Sequence, residues 1–164
     1  MGKTELPEEV GETSYPYLRS VDCRSKNAPY ENWQRKFKLS VIAKSLGIKS
    51  LKDITIDSYT STGRVKTIRL VNASNSASDI TVKATKFRST LGYKEIPSTL
   101  FTLIREGDNI IIQGKGYGHG VGLSQWGALE MARQGQSYSN ILSHYYPGTI
   151  LENTEEMYSR STSH

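Results

Sequence analysis

The chain has 164 residues, 36% hydrophobic and 23% charged, with 21 lysines and arginines against 16 aspartates and glutamates for a net charge of +5. That length suits one compact unit with a continuous core, and no run approaches the roughly 18 apolar residues of a membrane-spanning helix. Cys23 is the one cysteine, which excludes an internal disulfide and a thiolate-rich metal site within a single chain.

In chain order, Pro7, Pro16 and Pro29 interrupt a polar opening of about thirty residues, which is expected to wrap the domain without regular elements. No basic-then-apolar leader stands there, so any export signal is expected outside these residues. Lysines and arginines crowd the stretch from Arg24 to Lys52; they suit either an anionic partner or a solvated basic face, and no nucleic-acid-binding motif accompanies them. Ser40, followed by Val41, Ile42, Leu46 and Gly47, predicts a short helix capped by the serine, stopped by the glycine and packed through those apolar residues. From Leu51 to Val71 apolar residues alternate on either side of Ser61-Thr62-Gly63, which predicts two strands and a tight turn.

A third strand is expected over 80–84, then a helix through Phe87 and Leu91 stopped by Gly92. Residues 99–104 and 109–112 flank Glu106-Gly107-Asp108 and read as a hairpin. Ser124 and Ser137 then cap two short helices, ended by Gly135 and by Pro147-Gly148. The pattern defines an α+β fold, mainly antiparallel strands and hairpins with short helices, as one domain over 1–152 with a polar tail over 153–164.

The hairpin feeds QGKGYGHGVGLSQWG at 113–127, with Gly114, Gly116, Gly118, Gly120 and Gly122 at alternate positions. A dinucleotide fingerprint needs glycines at positions 1, 3 and 6, but His119, Val121, Leu123 and Gln125 fill the sixth position in the successive frames. A phosphate-binding P-loop fails too, because Asn109 and Gly116 stand where a glycine and a hydroxyl are required. If extended, the segment has one bare backbone face, the other carrying Lys115, Tyr117, His119 and Val121. Such a face permits close approach by a ligand or by another chain segment.

The run from Gly114 to Thr149, GKGYGHGVGLSQWGALEMARQGQSYSNILSHYYPGT, resembles the C-terminal signature of the stage II sporulation protein D (SpoIID/LytB) family. PYLRSVD at 16–22, TSTGRV at 60–65, FRSTLG at 87–92 and IPSTLF at 96–101 follow in that family's order. The resemblance implies glycan-strand work on peptidoglycan in the cell envelope, of the lytic transglycosylase type, with glycan strands and a wall amidase or sporulation protein as partners. The alternative it carries is a non-catalytic amidase-enhancer or interaction module. It also implies that these residues match the C-terminal portion of the family's domain. The catalytic glutamate, and the zinc ligands found in some members, are expected upstream, so no catalytic or metal residue and no cofactor is assigned here.

What remains is a sugar-binding floor. Tyr117 and Trp126 offer flat faces for a pyranose ring, while His119, Ser124 and Gln125 offer hydrogen bonds, and Tyr146 closes one wall. Tyr145, at helical spacing from Ile141 and Leu142, reads as core. Arg88 is either a substrate contact or a surface charge, and the latter is the favoured reading. His119 and His144 together lack a third metal ligand. Glu5, Glu8, Glu9 and Glu12 lie in a charged, turn-rich stretch and are expected to be exposed and ionised. Glu130 is expected on a helix face turned away from the glycines.

Overall fold

The structure, a computed structural model, describes residues 3–10, 13–24, 28, 30–74 and 78–152; Glu12 and the expected tail lie outside them. Two antiparallel three-stranded sheets form its frame. In the first, β6 (Asn109–Gly114) lies between β1 (Trp33–Lys38) and β5 (Phe101–Glu106). In the second, β3 (Val65–Asn72) lies between β2 (Leu51–Tyr59) and β4 (Ile80–Lys83). Both expected hairpins form, with Phe101 and Trp33 each paired opposite Gly114 and Ile56 opposite Ile68.

Two elements were not foreseen. β1 reads WQRKFK, and its buried or half-buried positions are Trp33, Arg35 and Phe37. The period of two is present, but three cations among six residues disguise it. The first segment contains a four-residue helix, α1 (Pro7–Val10), whose opening proline needs no hydrogen-bonded N–H.

The helix expected from Ser40 also starts differently. α2 (Leu39–Ser45) follows β1 without a gap, and Lys38 occupies the cap position with no side-chain bond. The Leu39 N–H donates to the Asp108 carbonyl at 2.9 Å, so the neighbouring hairpin turn satisfies one of the donors that a capping serine serves. Ile42 is buried and Leu46 packs on the core as expected, and Leu39 and Ala43 are buried with them, whereas Val41 is 48% exposed. α3 (Ala84–Leu91), α4 (Gln125–Arg133) and α5 (Tyr138–Tyr145) match expectation, with Ser124 and Ser137 accepting from the backbone N–H groups of Gly127 and Asn140.

The main core joins the two sheets, α2 and α3 through Ile42, Ile54, Ile68, Leu70, Phe87, Ile96, Ile110 and Ile112. A smaller cluster of Met131, Ile141 and Tyr145 joins α4 to α5, with Val21 and Tyr146 packed on it. The glycine-rich stretch runs between these cores. None of the helices formed by the described residues is long and apolar enough to cross a membrane.

Candidate functional site

The glycine segment leaves β6 at Gly114 and does not continue as a strand. Gly116, Gly118, Gly120 and Gly122 have φ of +75°, +98°, +90° and +70°, in the region L side chains rarely adopt. The expected single bare face is therefore replaced by a loop that turns at every second residue. Gly114 has a separate reason: the Trp33 ring lies where a Cβ would stand. That ring's Nε1 donates to the Gly116 carbonyl at 3.1 Å.

The loop is anchored on three sides. Gly116 N–H donates to the Tyr30 carbonyl at 2.7 Å, and Gly118 N–H to the Pro97 carbonyl at 2.9 Å. The Gly120 carbonyl accepts from Glu5 N–H at 2.8 Å. The segment carrying Glu5 is itself pinned to the PYLRSVD stretch: Thr4 and Val21 exchange bonds of 2.8 Å, and Ser20 Oγ donates to the Thr4 carbonyl at 2.6 Å.

Glu5 corrects the expectation of an exposed carboxylate. Its side chain is fully enclosed, 3.1 Å from Arg64 Nε, and accepts from the Thr62 hydroxyl. Burial pushes its carboxyl above the ordinary glutamate value, outweighing the Thr60 hydroxyl and the Arg64 charge, which pull it down. Burial lowers Arg64 as well, against the attraction of Glu5. The guanidinium lies directly under Gly120, where a Cβ would come within 2.8 Å of Cζ. Glu5 Oε2, Arg64 Nη1 and Thr99 Oγ1 are buried without a hydrogen-bond partner among the described residues. A short TE and GR in sequence gave no sign that these residues would meet across about sixty positions.

Above this buried base stands an aromatic rim. Tyr117 is 56% exposed and packs on Tyr30 with ring centroids 5.2 Å apart. Tyr30 is itself in the left-handed region at φ +65°, a conformation uncommon for non-glycine residues. At the other end of the loop Tyr146 approaches Gly122, its hydroxyl 3.4 Å from Leu123 N. Tyr17 meets Tyr146 edge to face at 6.3 Å and stacks on Tyr15 at 5.4 Å. Tyr15, Tyr17 and Tyr30 were missed as site residues; only their presence in an aromatic-rich, proline-broken opening could have raised them.

His119 is exposed, and its Nδ1 accepts from Val121 N–H at 3.1 Å. That bond selects the neutral tautomer with the proton on Nε2, which is left as a donor toward solvent. Ser124 is occupied by its capping bond, and Gln125 and Trp126 are exposed on the first turn of α4. Trp126 makes no ring contact among the described residues, so it extends the surface without joining the tyrosine pairs.

The remaining candidates separate cleanly. Tyr145 is fully buried, donates to the Cys23 carbonyl at 2.7 Å, and is pushed up to about 12 by burial. Arg88 is not a surface charge: it is 8% exposed, donates to the Ile96 and Pro97 carbonyls at 2.9 and 2.8 Å, and lies over the Tyr93 ring. It fixes the very segment whose Pro97 carbonyl holds Gly118. His144 Nε2 is 2.8 Å from the Asp22 carbonyl oxygen. Glu9 accepts from the Ser61 N–H and hydroxyl, and Glu130 from Gln134. Among the described residues no three histidine, cysteine, aspartate or glutamate side chains group as metal ligands.

The chain is thus an α+β domain whose turning glycine loop is flanked by two tyrosine clusters. Residues 24–122 match the model of a domain of unknown function, DUF8618. An uncharacterized protein of Brachyspira hyodysenteriae is 35% identical over 152 residues, which is 90% of this chain and 39% of that protein. The amidase enhancer of Bacillus subtilis is 37% identical over 132 residues, covering 74% of this chain and 19% of the relative. Stage II sporulation protein D of Bacillus amyloliquefaciens is 32% identical over 162 residues, covering 97% of this chain and 44% of the relative. The chain belongs to the SpoIID/LytB family, and it spans less than half the length of these relatives.

Proposed function

We propose that this chain is the glycan-holding portion of a peptidoglycan-processing protein of the cell envelope, acting in sporulation or wall remodelling. The observation that carries the reading is the rim bordering one glycine loop, formed by exposed Tyr117, Tyr30, Tyr17 and Tyr15 with half-buried Tyr146. Flat apolar faces stack on pyranose rings, and the backbone and His119 Nε2 between them supply hydrogen bonds to hydroxyl and acetamido groups. Relatives named stage II sporulation protein D and amidase enhancer support the wall setting.

Lytic transglycosylase chemistry needs a protonated carboxyl in contact with the glycosidic oxygen. Glu5, whose backbone N–H bonds the glycine loop, has a carboxyl of raised proton affinity, but its side chain is fully enclosed and does not reach the surface. Holding and orienting the strand is therefore the role assigned to these residues, with proton donation left to the glutamate that the family resemblance implies.

The test is binding of purified, peptide-free glycan strands by the chain and by Tyr117→Ala and His119→Ala variants. Loss of a central aromatic anchor is expected to weaken binding about 5–30-fold, equivalent to roughly 1–2 kcal/mol, with the unfolding midpoint unchanged. Equal binding by both variants and the parent would sink the proposal. The amidase-enhancer relative favours a second reading, a contact with a wall amidase. Capture of a purified amidase with no glycan binding would select it.

A further inference from the structure

At the far end of β6 from the glycine loop lies a second cleft of about 1100 Å³, between α2, the start of β2 and the β5–β6 turn. Five residue steps separate Asn109, in its wall, from Gly114 at the loop; at about 3.4 Å per step the two sites are roughly 17 Å apart. The floor is apolar, with Leu39, Ala43, Ile48 and Leu51, and Ser40 and Ser50 add hydroxyls.

The rim carries part of the basic charge of the first third of the chain. Lys38, Lys44, Lys49 and Lys52 all line the cleft and are all exposed. Its two carboxylates do not neutralise them: Glu106 pairs with Lys36, and Asp108 lies 3.9 Å from Arg105, which also faces Asp53 at 3.6 Å. Among the described residues none of these four lysines forms an ion pair. With the cleft's two carboxylates engaged by Lys36 and Arg105, the four lysines repel one another around one concavity, and an anion seated there reduces that repulsion.

The kind of anion follows from the lining. Lysine ammonium groups are point charges that bind phosphate from several directions, without the planar fork that arginine presents to a single group. Among the described residues no phenylalanine, tyrosine or tryptophan lines the cleft, so these residues offer it none of the stacking faces on which single-stranded nucleic acids rely. We propose that the cleft binds a base-free phosphodiester polymer, a poly(polyol phosphate) strand, whose phosphates meet the lysines while its carbon backbone lies on the apolar floor. This is a second site, separate from the glycan rim, and it stands or falls independently of the glycan reading.

The experiment uses fluorescently labelled poly(glycerol phosphate) and follows anisotropy between 50 and 200 mM salt. With four lysines engaged, log affinity is expected to fall with log salt at a slope of about −3, by the single-strand coefficient of roughly −0.7 per phosphate. The triple variant Lys44→Gln, Lys49→Gln, Lys52→Gln should bind at least tenfold more weakly at 50 mM salt, with a slope near −1. Its substitutions are at exposed positions and relieve mutual repulsion, so its unfolding midpoint should not fall below the parent's. Tyr117→Ala should bind the polymer as the parent does, and the triple variant should keep glycan binding. No polymer binding at 50 mM salt, or an unchanged affinity in the triple variant, would overturn the assignment. So would tighter binding of an oligo(dT) of equal phosphate number through the same lysines, which would mark the occupant as nucleic acid.

Discussion

Arg64 holds its charge between the Glu5 carboxylate and the backbone of Gly120, and this arrangement makes the loop sensitive to one buried pair. Removing a single member of such a pair is far costlier than replacing both, because the survivor is left charged in a poor solvent. Arg64→Met is therefore expected to destabilise the fold by about 3–5 kcal/mol at neutral pH, and by less at pH 4, where protonation neutralises Glu5. The pH dependence of the parent has a defined sign. A carboxyl whose folded pKa is raised binds its proton more tightly in the fold, so the stability it contributes is present below about 4.5 and is lost as pH rises through the folded value. Glu5→Gln should flatten that segment of the stability curve measured by urea unfolding. A parent curve that rose with pH there, or an identical slope in the variant, would contradict the assignment of Glu5.

At the scale of elements, α4 contains a glycine that propensity alone would disfavour. In an exposed helix, alanine at that position is better than glycine by about 1 kcal/mol. Gly127, however, is buried where a Cβ would overlap the Cys23 carbonyl oxygen and the Tyr145 hydroxyl. The helix thus packs against the backbone near PYLRSVD, close to the Asp22 carbonyl that bonds His144. Overpacking of this kind costs about 1–3 kcal/mol, so Gly127→Ala should lower the thermal midpoint by several degrees despite its gain in helix propensity. A raised midpoint would mean that α4 can move away from Cys23 freely. The serine caps and hairpin turns of these elements were readable because each depends on residues close in sequence. β1 and the true start of α2 were not, since the partner of one is β6 and the cap of the other is a carbonyl at Asp108.

At the scale of the whole molecule, the described residues form two hydrophobic clusters of unequal size, and the loop with its tyrosine rim spans the ground between them. Ile68, Ile112 and their neighbours form one large interior, while Met131, Ile141 and Tyr145 form a much smaller one. Opening free energy follows the apolar contact each region would lose. Hydrogen exchange should therefore show the amides of α4 and α5 opening at lower free energy than those of β3 and β6, and the Tyr146 wall moving with the helices. Uniform protection across both regions would mean a single cooperative unit.

The sequence by itself determined the α+β class, the two hairpins, the serine-capped helices and the family, because each rests on periodicity, local turn chemistry or an ordered run of motifs. It also located the glycine stretch and Tyr117, His119 and Tyr146 as candidate contacts. Only the tertiary structure decided that the stretch turns at alternate glycines, that Glu5 and Arg64 are buried beneath it, and that Tyr15, Tyr17 and Tyr30 complete its rim. Those facts depend on contacts between residues far apart in the chain, where burial, not residue type, decides whether a glutamate is a solvated charge or an enclosed partner.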